Sequence, residues 1–499
     1  METVTYTKLN ETFMRIKCEA STGQELSEHF CFFVPGYKFM PAYKNRMWDG
    51  KIRLFNMRDK TLHCGLLHYL KAFCEERGYQ IKVHDINGLE HSHLTQSGPI
   101  EAFIANLGLS VNGVGITPRD YQIEALSCAL AEGKRLLLSP TASGKSLIIY
   151  MLLRHYIDAD PDKKILIIVP TTSLVEQMYA DFDDYSRNDI NFNAEDYCHR
   201  VYGGRSKESP LRCIISTWQS LHRMPASYFQ DVGMVIGDEA HQFKAKSLTS
   251  ILEKCVNAPF KIGTTGTLDG TQTHQLVLEG LFGPVYKVTT SKELMDKGSL
   301  AQMDISMLLL KYGEAYCKEV SKMKYQEEID FIVNYGPRNN FITNLALDQT
   351  GNTLVLFNYV EKHGKPLYNL LKEKIKGDRK LFYVSGETKV DDRENIRALT
   401  ETQNDAIIVA SLGTFSTGIN IKRLHNLIFA SPSKSQVRVL QSIGRGLRVS
   451  ADGINTKVYD VTDDLQHKGK KNYTLNHAAE RVKIYSRERF KFNVYDINI

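Results

Sequence analysis

Three stretches of the sequence hold the residue types that chemistry on a phosphate chain demands. SPTASGKS (139–146) follows an apolar run, RLLLS, and precedes an apolar helical run, LIIYMLLRHY. A loop there, made of Pro140, Thr141, Ala142, Ser143 and Gly144, would turn backbone N–H groups and a helix N-terminus toward an anion. Lys145 would then reach the β and γ phosphates of a nucleotide, and Ser146 would ligate Mg²⁺. Ser139 stands where the general pattern has its first glycine. GMVIGDEAH (233–241) ends an apolar run on Asp238 and Glu239. Adjacent carboxylates suit two tasks: Asp238 holds Mg²⁺ through water, and Glu239 orients or deprotonates an attacking water. QSIGRGLR (441–448) spaces Arg445 and Arg448 three apart, on one face of a helix. Guanidinium fingers entering a nucleotide site need that arrangement. Taken singly, each stretch has a plainer reading: a chance GKS, a solvated acidic loop, a basic surface helix.

The elements that must position these groups are also legible. From about residue 117 short apolar runs alternate with helical stretches: RLLLS (135–139), KILIIVP (164–170), RCIIST (212–217), GMVIG (233–237) and KIGTTG (261–266). Near-continuous apolar runs are what buried parallel strands require, and strand–helix alternation implies a doubly wound sheet. Ligands of such sheets bind beyond the carboxyl ends of the strands. A mostly polar, helical stretch (311–350) follows. The alternation then resumes with TLVLF (353–357), KLFYVSG (380–386), AIIVAS (406–411), NLIFAS (426–431) and TKVYDV (456–461). The expected fold class is α/β: two tandem doubly wound parallel-sheet domains behind a small α+β unit. The expected divisions are an N-terminal unit (1–100), a first α/β domain (110–300), a helical connector (301–345), a second α/β domain (346–465) and a basic C-terminal helix (466–499). Within the first hundred residues, 31–36, 51–55 and 79–84 read as strands and 68–78 as a helix. The polar HSHLTQSGP (91–99) reads as a linker.

Composition sets the outer bounds. The chain has 499 residues, 42% hydrophobic and 24% charged, which excludes a mainly disordered or fibrous chain. The longest apolar run, Leu147 to Leu153, falls far short of the ~18 residues a membrane span needs. The first residues show no basic and apolar leader pattern. The nine cysteines are widely scattered, which suits reduced thiols and a cytoplasmic location. A net charge of +6 permits a nucleic-acid partner without requiring one.

Together the motifs carry more than any does alone. RDYQ (119–122), PTASGKS, VPTTSLVEQ, TWQS, DEAH, TTGT, VLFNYV, ASLGTFSTGIN and QSIGRGLR fall in the order of the superfamily 2 helicase motifs, over residues 117–460. The sequence resembles that superfamily, and the resemblance implies two RecA-like domains with ATP and Mg²⁺ between them. It implies that Gln122 reads adenine with Arg119 in support and that Gln441 faces the γ-phosphate. Thr265, Gly266 and Thr267 would couple ATP to nucleic acid, although many relatives carry Ala where Gly266 stands. Thr171, Thr172, Gly203, Gly204, Thr217, Gln219, Thr414, Thr417 and Gly418 fall in motifs that contact the nucleic-acid backbone. His241, which completes DEAH, is expected to couple to the second domain. More narrowly, YKNRMWDGKIRLF (43–55), followed directly by the motor, resembles the phage UvsW-type helicases, as do VPTTSLVEQM and STGINIKRLHNLIFA. That group remodels branched DNA: forks, R-loops and Holliday junctions.

Two further stretches bear on nucleic acid. Residues 36–55 hold Lys38, Lys44, Arg46, Lys51 and Arg53 against one acid, Asp49, with five aromatic residues interleaved. Basic groups neutralise phosphates and aromatic faces stack on unpaired bases. Lys44, Arg46, Trp48 and Lys51 are the candidate DNA contacts, on a hairpin strand that buries its aromatics; an ordinary hairpin with a solvated basic face is the alternative. The tail, 465–499, carries eight basic residues against three acids. It reads either as a helix lying along a DNA strand or as a helix packed on the second motor domain. The expected partner is branched or forked DNA, bound by a monomer. An RNA helicase, a restriction-complex motor and an inactive scaffold are the competing functions. The absence of DEAD and HRIGRTGR forms argues against the first, the lack of a nuclease motif against the second, and intact Lys145, Glu239 and Arg448 against the third.

Overall fold

The structure is a computed structural model. It describes residues 2–84, 100–140, 143–243, 245–268, 272–297, 303–388, 402–416, 423–431, 456–487 and 490–499, together with 392, 395–396 and 399–400. The chain forms two compact units, one of Met1–Ser139 with Gly144–Val288, the other of Pro140–Ser143 with Thr289–Ile499.

The first unit is built on a seven-stranded sheet in the order Cys198–Val201, Cys213–Thr217, Lys164–Val169, Val232–Asp238, Phe260–Thr265, Lys134–Leu138, Val285–Lys287. Every pairing is parallel. Cys213–Thr217, Val232–Asp238 and Phe260–Thr265 are buried along their whole length, as strands covered on both faces must be. The helix Lys145–Ala159 buries every residue from Leu147 to Ile157.

Residues before the first seven-stranded sheet form a separate four-stranded mixed sheet, Thr61–His63, Phe13–Lys17, Thr3–Lys8, Gln80–Val83, backed by the helices Ala20–His29 and Leu67–Arg77. It packs against the seven-stranded domain. Leu276 of the helix Gln272–Phe282 joins its core beside Leu62, Leu66 and Phe73. Gly65 lies so close to that helix that a Cβ would meet the Glu279 carbonyl at 2.0 Å. Lys261, 1% exposed, donates to Thr12 Oγ1 at 2.5 Å and to the Leu252 carbonyl at 3.1 Å. Glu11 accepts from Lys134 at 2.9 Å and Lys8 at 2.6 Å. Burial alone would raise the Glu11 carboxyl, but the two ammonium groups overcome it and hold it at about 2. Burial pushes Lys261 down to about 8, against the pull of Cys255.

The second unit repeats the architecture with the order Leu381–Val384, Ile407–Ser411, Thr353–Phe357, Asn426–Phe429, Thr456–Asp464, Met303–Lys311, Phe492–Asn498, again all parallel. The helical stretch stands as Glu314–Val320, Tyr325–Asn334 and Gly336–Asp348. Two expectations are corrected. The stretch read as connector, 301–345, opens with the sheet strand Met303–Lys311, whose alternating apolar residues pair on both sides. The tail is a helix, Tyr473–Arg487, followed by the edge strand Phe492–Asn498. Its Arg481 is buried against Asp460 at 2.8 Å, so that part of the tail's basic count is structural. The expected linker falls largely outside the described residues, and Ile100–Asn106 is helical.

Candidate nucleotide and nucleic-acid site

The strand Lys134–Leu138 delivers the chain to Ser139, whose N–H donates to the Thr265 carbonyl at 2.8 Å. Pro140 and Ser143 form a small turn in which the Ser143 hydroxyl donates to the Pro140 carbonyl at 2.6 Å. Thr141 and Ala142 lie outside the described residues. Gly144 caps the following helix at φ +79, a backbone that favours glycine, and a Cβ there would meet Gln122 Nε2 at 2.3 Å. Gln122 accepts from the Arg119 N–H at 2.8 Å, and Arg119 donates to the Tyr121 hydroxyl at 2.8 Å. Gln122 therefore packs directly against Gly144, with Arg119 linked to it through the backbone N–H. Lys145 Nζ donates to the Ser139 carbonyl at 3.3 Å, and the Ser146 hydroxyl is 2.8 Å from that of Tyr185.

Asp238 ends its strand almost fully buried and accepts from Thr264 Oγ1 at 2.7 Å. Burial raises its pKa, adjacent Glu239 raises it further, and Lys145 opposes both. Glu239 takes a left-handed backbone at φ +50, uncommon for a residue with a side chain. His241 Nδ1 is 3.1 Å from Thr265 Oγ1 and 3.3 Å from a Glu239 carboxylate oxygen. Thr265 Oγ1 donates onward to the Thr267 carbonyl at 3.0 Å. One strand, Phe260–Thr265, thus carries neighbouring hydroxyls to the Asp238 carboxylate and to His241, which in turn meets Glu239. Thr264 is a site residue that sequence reasoning passed over, since TTGT does not reveal which threonine faces the acid. Tyr185 is another, at the far end of the helix Thr172–Tyr185 and beyond the last residue of VPTTSLVEQM.

The remaining motif loops sort by strand. Thr171 and Thr172 follow Lys164–Val169, Gly203 and Gly204 follow Cys198–Val201, and Thr217 and Gln219 end or follow Cys213–Thr217. These three strands are neighbours on one half of the sheet, and the strands that deliver Ser139, Asp238 and Thr265 occupy the other. Thr171 caps its helix by accepting from the Leu174 N–H, and Thr217 Oγ1 is 3.1 Å from Ser220 Oγ. Thr172, Gly203, Gly204 and Gln219 are exposed. Glu176 ties the glycine loop to the helix, accepting from Arg200 and Tyr202 at 2.5 Å each. In the second unit, Thr414 is buried and accepts from Ser411 Oγ at 2.7 Å. Thr417, Gly418, Gln441, Arg445 and Arg448 lie outside the described residues.

The basic segment near the start differs from expectation. Between the short strands Cys31–Phe33 and Lys51–Arg53 the chain forms two small helical turns, Tyr37–Phe39 and Pro41–Lys44, not one long hairpin strand. Pro41 and Gly36 in its sequence break the strand. Lys44 and Arg46 are exposed, whereas Lys51 lies over the Phe33 ring at 4.9 Å. Trp48 is half-buried and donates to the Lys51 carbonyl at 2.9 Å. The exposed ring is Phe39, at 79%, beside Met47 at 82%.

Comparison with known proteins places this geometry in context. Residues 6–84 match the family described as DNA helicase UvsW, N-terminal; 115–270 match Type III restriction enzyme, res subunit; 337–450 match Helicase conserved C-terminal domain. The chain is 34% identical to the ATP-dependent DNA helicase uvsW of Enterobacteria phage T4, over 97% of this chain and 98% of that one. The crystal structure of T4 UvsW aligns over 99% of both chains at 32% identity and a TM-score of 0.52. A DNA-bound Type ISP restriction-modification enzyme, LlaBIII, shares the fold at 17% identity and a TM-score of 0.56, over 86% of this chain and 36% of that one.

Proposed function

The chain belongs to the UvsW family of ATP-dependent DNA helicases, and from that premise we propose a motor that unwinds or branch-migrates forked DNA, R-loops and Holliday junctions. The observation that carries the reading is the strand Phe260–Thr265. Lys261 near its start is clamped to Thr12 of the N-terminal unit, and its last residues hold Asp238 and His241. A shift felt at the carboxylates therefore has a stiff path to the unit that carries the basic segment.

The donor set suits Mg²⁺: the Ser146 hydroxyl and the Asp238 carboxylate are hard oxygen ligands, and Lys145 acts electrostatically on Asp238. Bound Mg²⁺ would supply counter-charge to the phosphates of ATP. Lys145 and the N–H groups of 143–146 bind those phosphates, and Gln122 with Arg119 reads the base. Glu239, oriented by His241, takes the proton of the attacking water. Arg445 and Arg448 stabilise the charge that develops in transfer. Thr171, Thr172, Gly203, Gly204, Thr217, Gln219, Thr414, Thr417 and Gly418 hold one DNA backbone, and Lys44, Arg46 and Lys51 meet the branch. The motor works as a monomer in the cytoplasm. No helix among the described residues is long and apolar enough to cross a membrane.

ATP turnover with and without nucleic acid tests this. Forked DNA is expected to stimulate strongly and RNA of the same sequence weakly; equal stimulation by RNA would overturn the reading.

A further inference from the structure

The second unit presents a concentration of basic charge that none of the helicase motifs uses. Residues 318–324 and 467–471 hold six lysines, Lys318, Lys322, Lys324, Lys468, Lys470 and Lys471, and a single acid, Glu319. The fold brings the two stretches together. Lys470 Nζ donates to the Ser321 carbonyl at 2.8 Å. Tyr325 and Tyr473 meet edge to face with ring centroids 5.8 Å apart. Buried Glu328 accepts from the Tyr473 N–H at 2.9 Å, the Thr474 N–H at 2.8 Å and Asn472 Nδ2 at 2.9 Å, which fixes the end of the second stretch against the helix that follows the first.

All six lysines are exposed, and none forms a salt bridge among the described residues. The neighbouring carboxylate, Glu327, is engaged by the Lys324 backbone N–H at 2.7 Å. The second stretch is a tight hairpin in which His467 and Lys470 exchange backbone hydrogen bonds of 3.1 and 3.0 Å. Its two central residues, Lys468 at φ +49 and Gly469 at φ +78, are both left-handed, the geometry of a type I′ turn. That position favours Asn, Asp or Gly, so lysine there is a local cost with no packing to offset it. The tyrosine pair stays partly open to solvent, Tyr325 at 39% and Tyr473 at 47%. An array of exposed ammonium groups with no carboxylate partner among the described residues, flanked by open aromatic faces, matches a nucleic-acid backbone with unpaired bases.

We propose that Lys318, Lys322, Lys324, Lys468, Lys470 and Lys471 form a second DNA-binding site on this unit, one that grips the phosphates of a strand outside the motif-lined track. The site rests on the reading of the chain as a DNA helicase. The helix Tyr473–Arg487 that follows it packs inward through Ile484 and Tyr485 and serves as its base.

The full chain carrying Lys322→Gln, Lys468→Gln, Lys470→Gln and Lys471→Gln tests this. Binding to a fluorescent fork, a thymidine oligonucleotide and a blunt duplex is measured across a salt series. Each lost phosphate contact lowers the slope of log affinity against log salt by about 0.7–0.9, so the fork slope is expected to fall by roughly 3, with about tenfold or greater weakening at low salt. Loss confined to the oligonucleotide and fork identifies a single strand as the ligand; loss on the blunt duplex identifies a duplex arm. The corresponding Lys→Arg variant keeps the charge and is expected to keep the wild-type slope. Thermal unfolding of both variants checks that the fold is intact. Wild-type affinity and slope in the Gln variant would overturn the proposal, as would weakening with an unchanged slope. Wild-type ATP turnover measured alongside separates the two levels: a wild type that no DNA stimulates sinks the helicase reading, whatever the lysine variants do.

Discussion

At the scale of single residues, Lys145 stands at the head of the helix Lys145–Ala159, and its removal would leave bound phosphates without that counter-charge. Lys145→Ala is therefore expected to abolish ATP turnover while DNA binding, which draws on other loops, persists. Near wild-type turnover would refute the phosphate-loop assignment. Arg445→Ala and Arg448→Ala are expected to lower turnover by up to about 10³–10⁵ with little change in nucleotide affinity, because a finger acts on charge that exists only in the transition state. Equal small losses in both parameters would make these arginines ordinary surface groups. That Ser139 and the acidic pair would stand at the ends of strands was legible from type and spacing alone, since each motif sits at the end of an apolar run. Thr264 was not. On a strand buried along its whole length, alternation gives no clue to which hydroxyl meets Asp238. Trp48 is a candidate DNA contact by residue type, yet the exposed ring of residues 36–55 is Phe39; composition does not say which side chain a turn leaves uncovered.

At the scale of elements, the strand Phe260–Thr265 joins Asp238 and His241 to the N-terminal unit. His241→Ala breaks its contact with Thr265. We expect unwinding to fall more than ATP turnover, read as base pairs separated per ATP hydrolysed; equal losses would remove His241 from the coupling path. The other end of the strand lies among buried charges. The Glu11 carboxyl titrates at about 2 against an ordinary 4.5, so its stabilising effect is complete above about pH 4.5 and is lost as the pH falls through about 2. Glu11→Gln is expected to cost on the order of 3 kcal/mol at neutral pH, with the difference from wild type shrinking across that acid window. A pH-independent difference in denaturant unfolding would contradict the ion-pair account. Most central strands were legible to within a residue or two because burial on both faces makes them continuously apolar; Thr456–Asp464 runs three residues past its expected end. Met303–Lys311 and Phe492–Asn498 were not, since the first lies in a stretch assigned to a connector and the second is an edge strand whose exposed residues break the apolar run.

At the scale of the molecule, the N-terminal unit and the first motor domain share a core and a buried lysine. Deleting residues 1–110 would uncover Lys261, Lys134 and Leu276, and we expect the remainder to lose stability as well as branch recognition. Charge reversal at Lys44 and Arg46, both exposed, is the cleaner probe; the variant is expected to remodel forks more slowly, with the defect shrinking as salt rises. The two-sheet plan was legible from strand–helix alternation, whereas the docking of the first hundred residues was not. Its contacts join Thr12 to Lys261 and Gly65 to Glu279, pairings that no local pattern encodes.

The most direct test of an ATP-driven motor for branched DNA is a substrate panel of forks, Holliday junctions, R-loops and linear duplexes of matched length. Strand separation and ATP turnover are followed together, with Lys145→Ala as the control. We expect branched substrates to be resolved with ATP and linear duplexes poorly, and no resolution by the control. Linear duplex unwound as fast as a fork, or forks resolved without ATP turnover, would contradict the account.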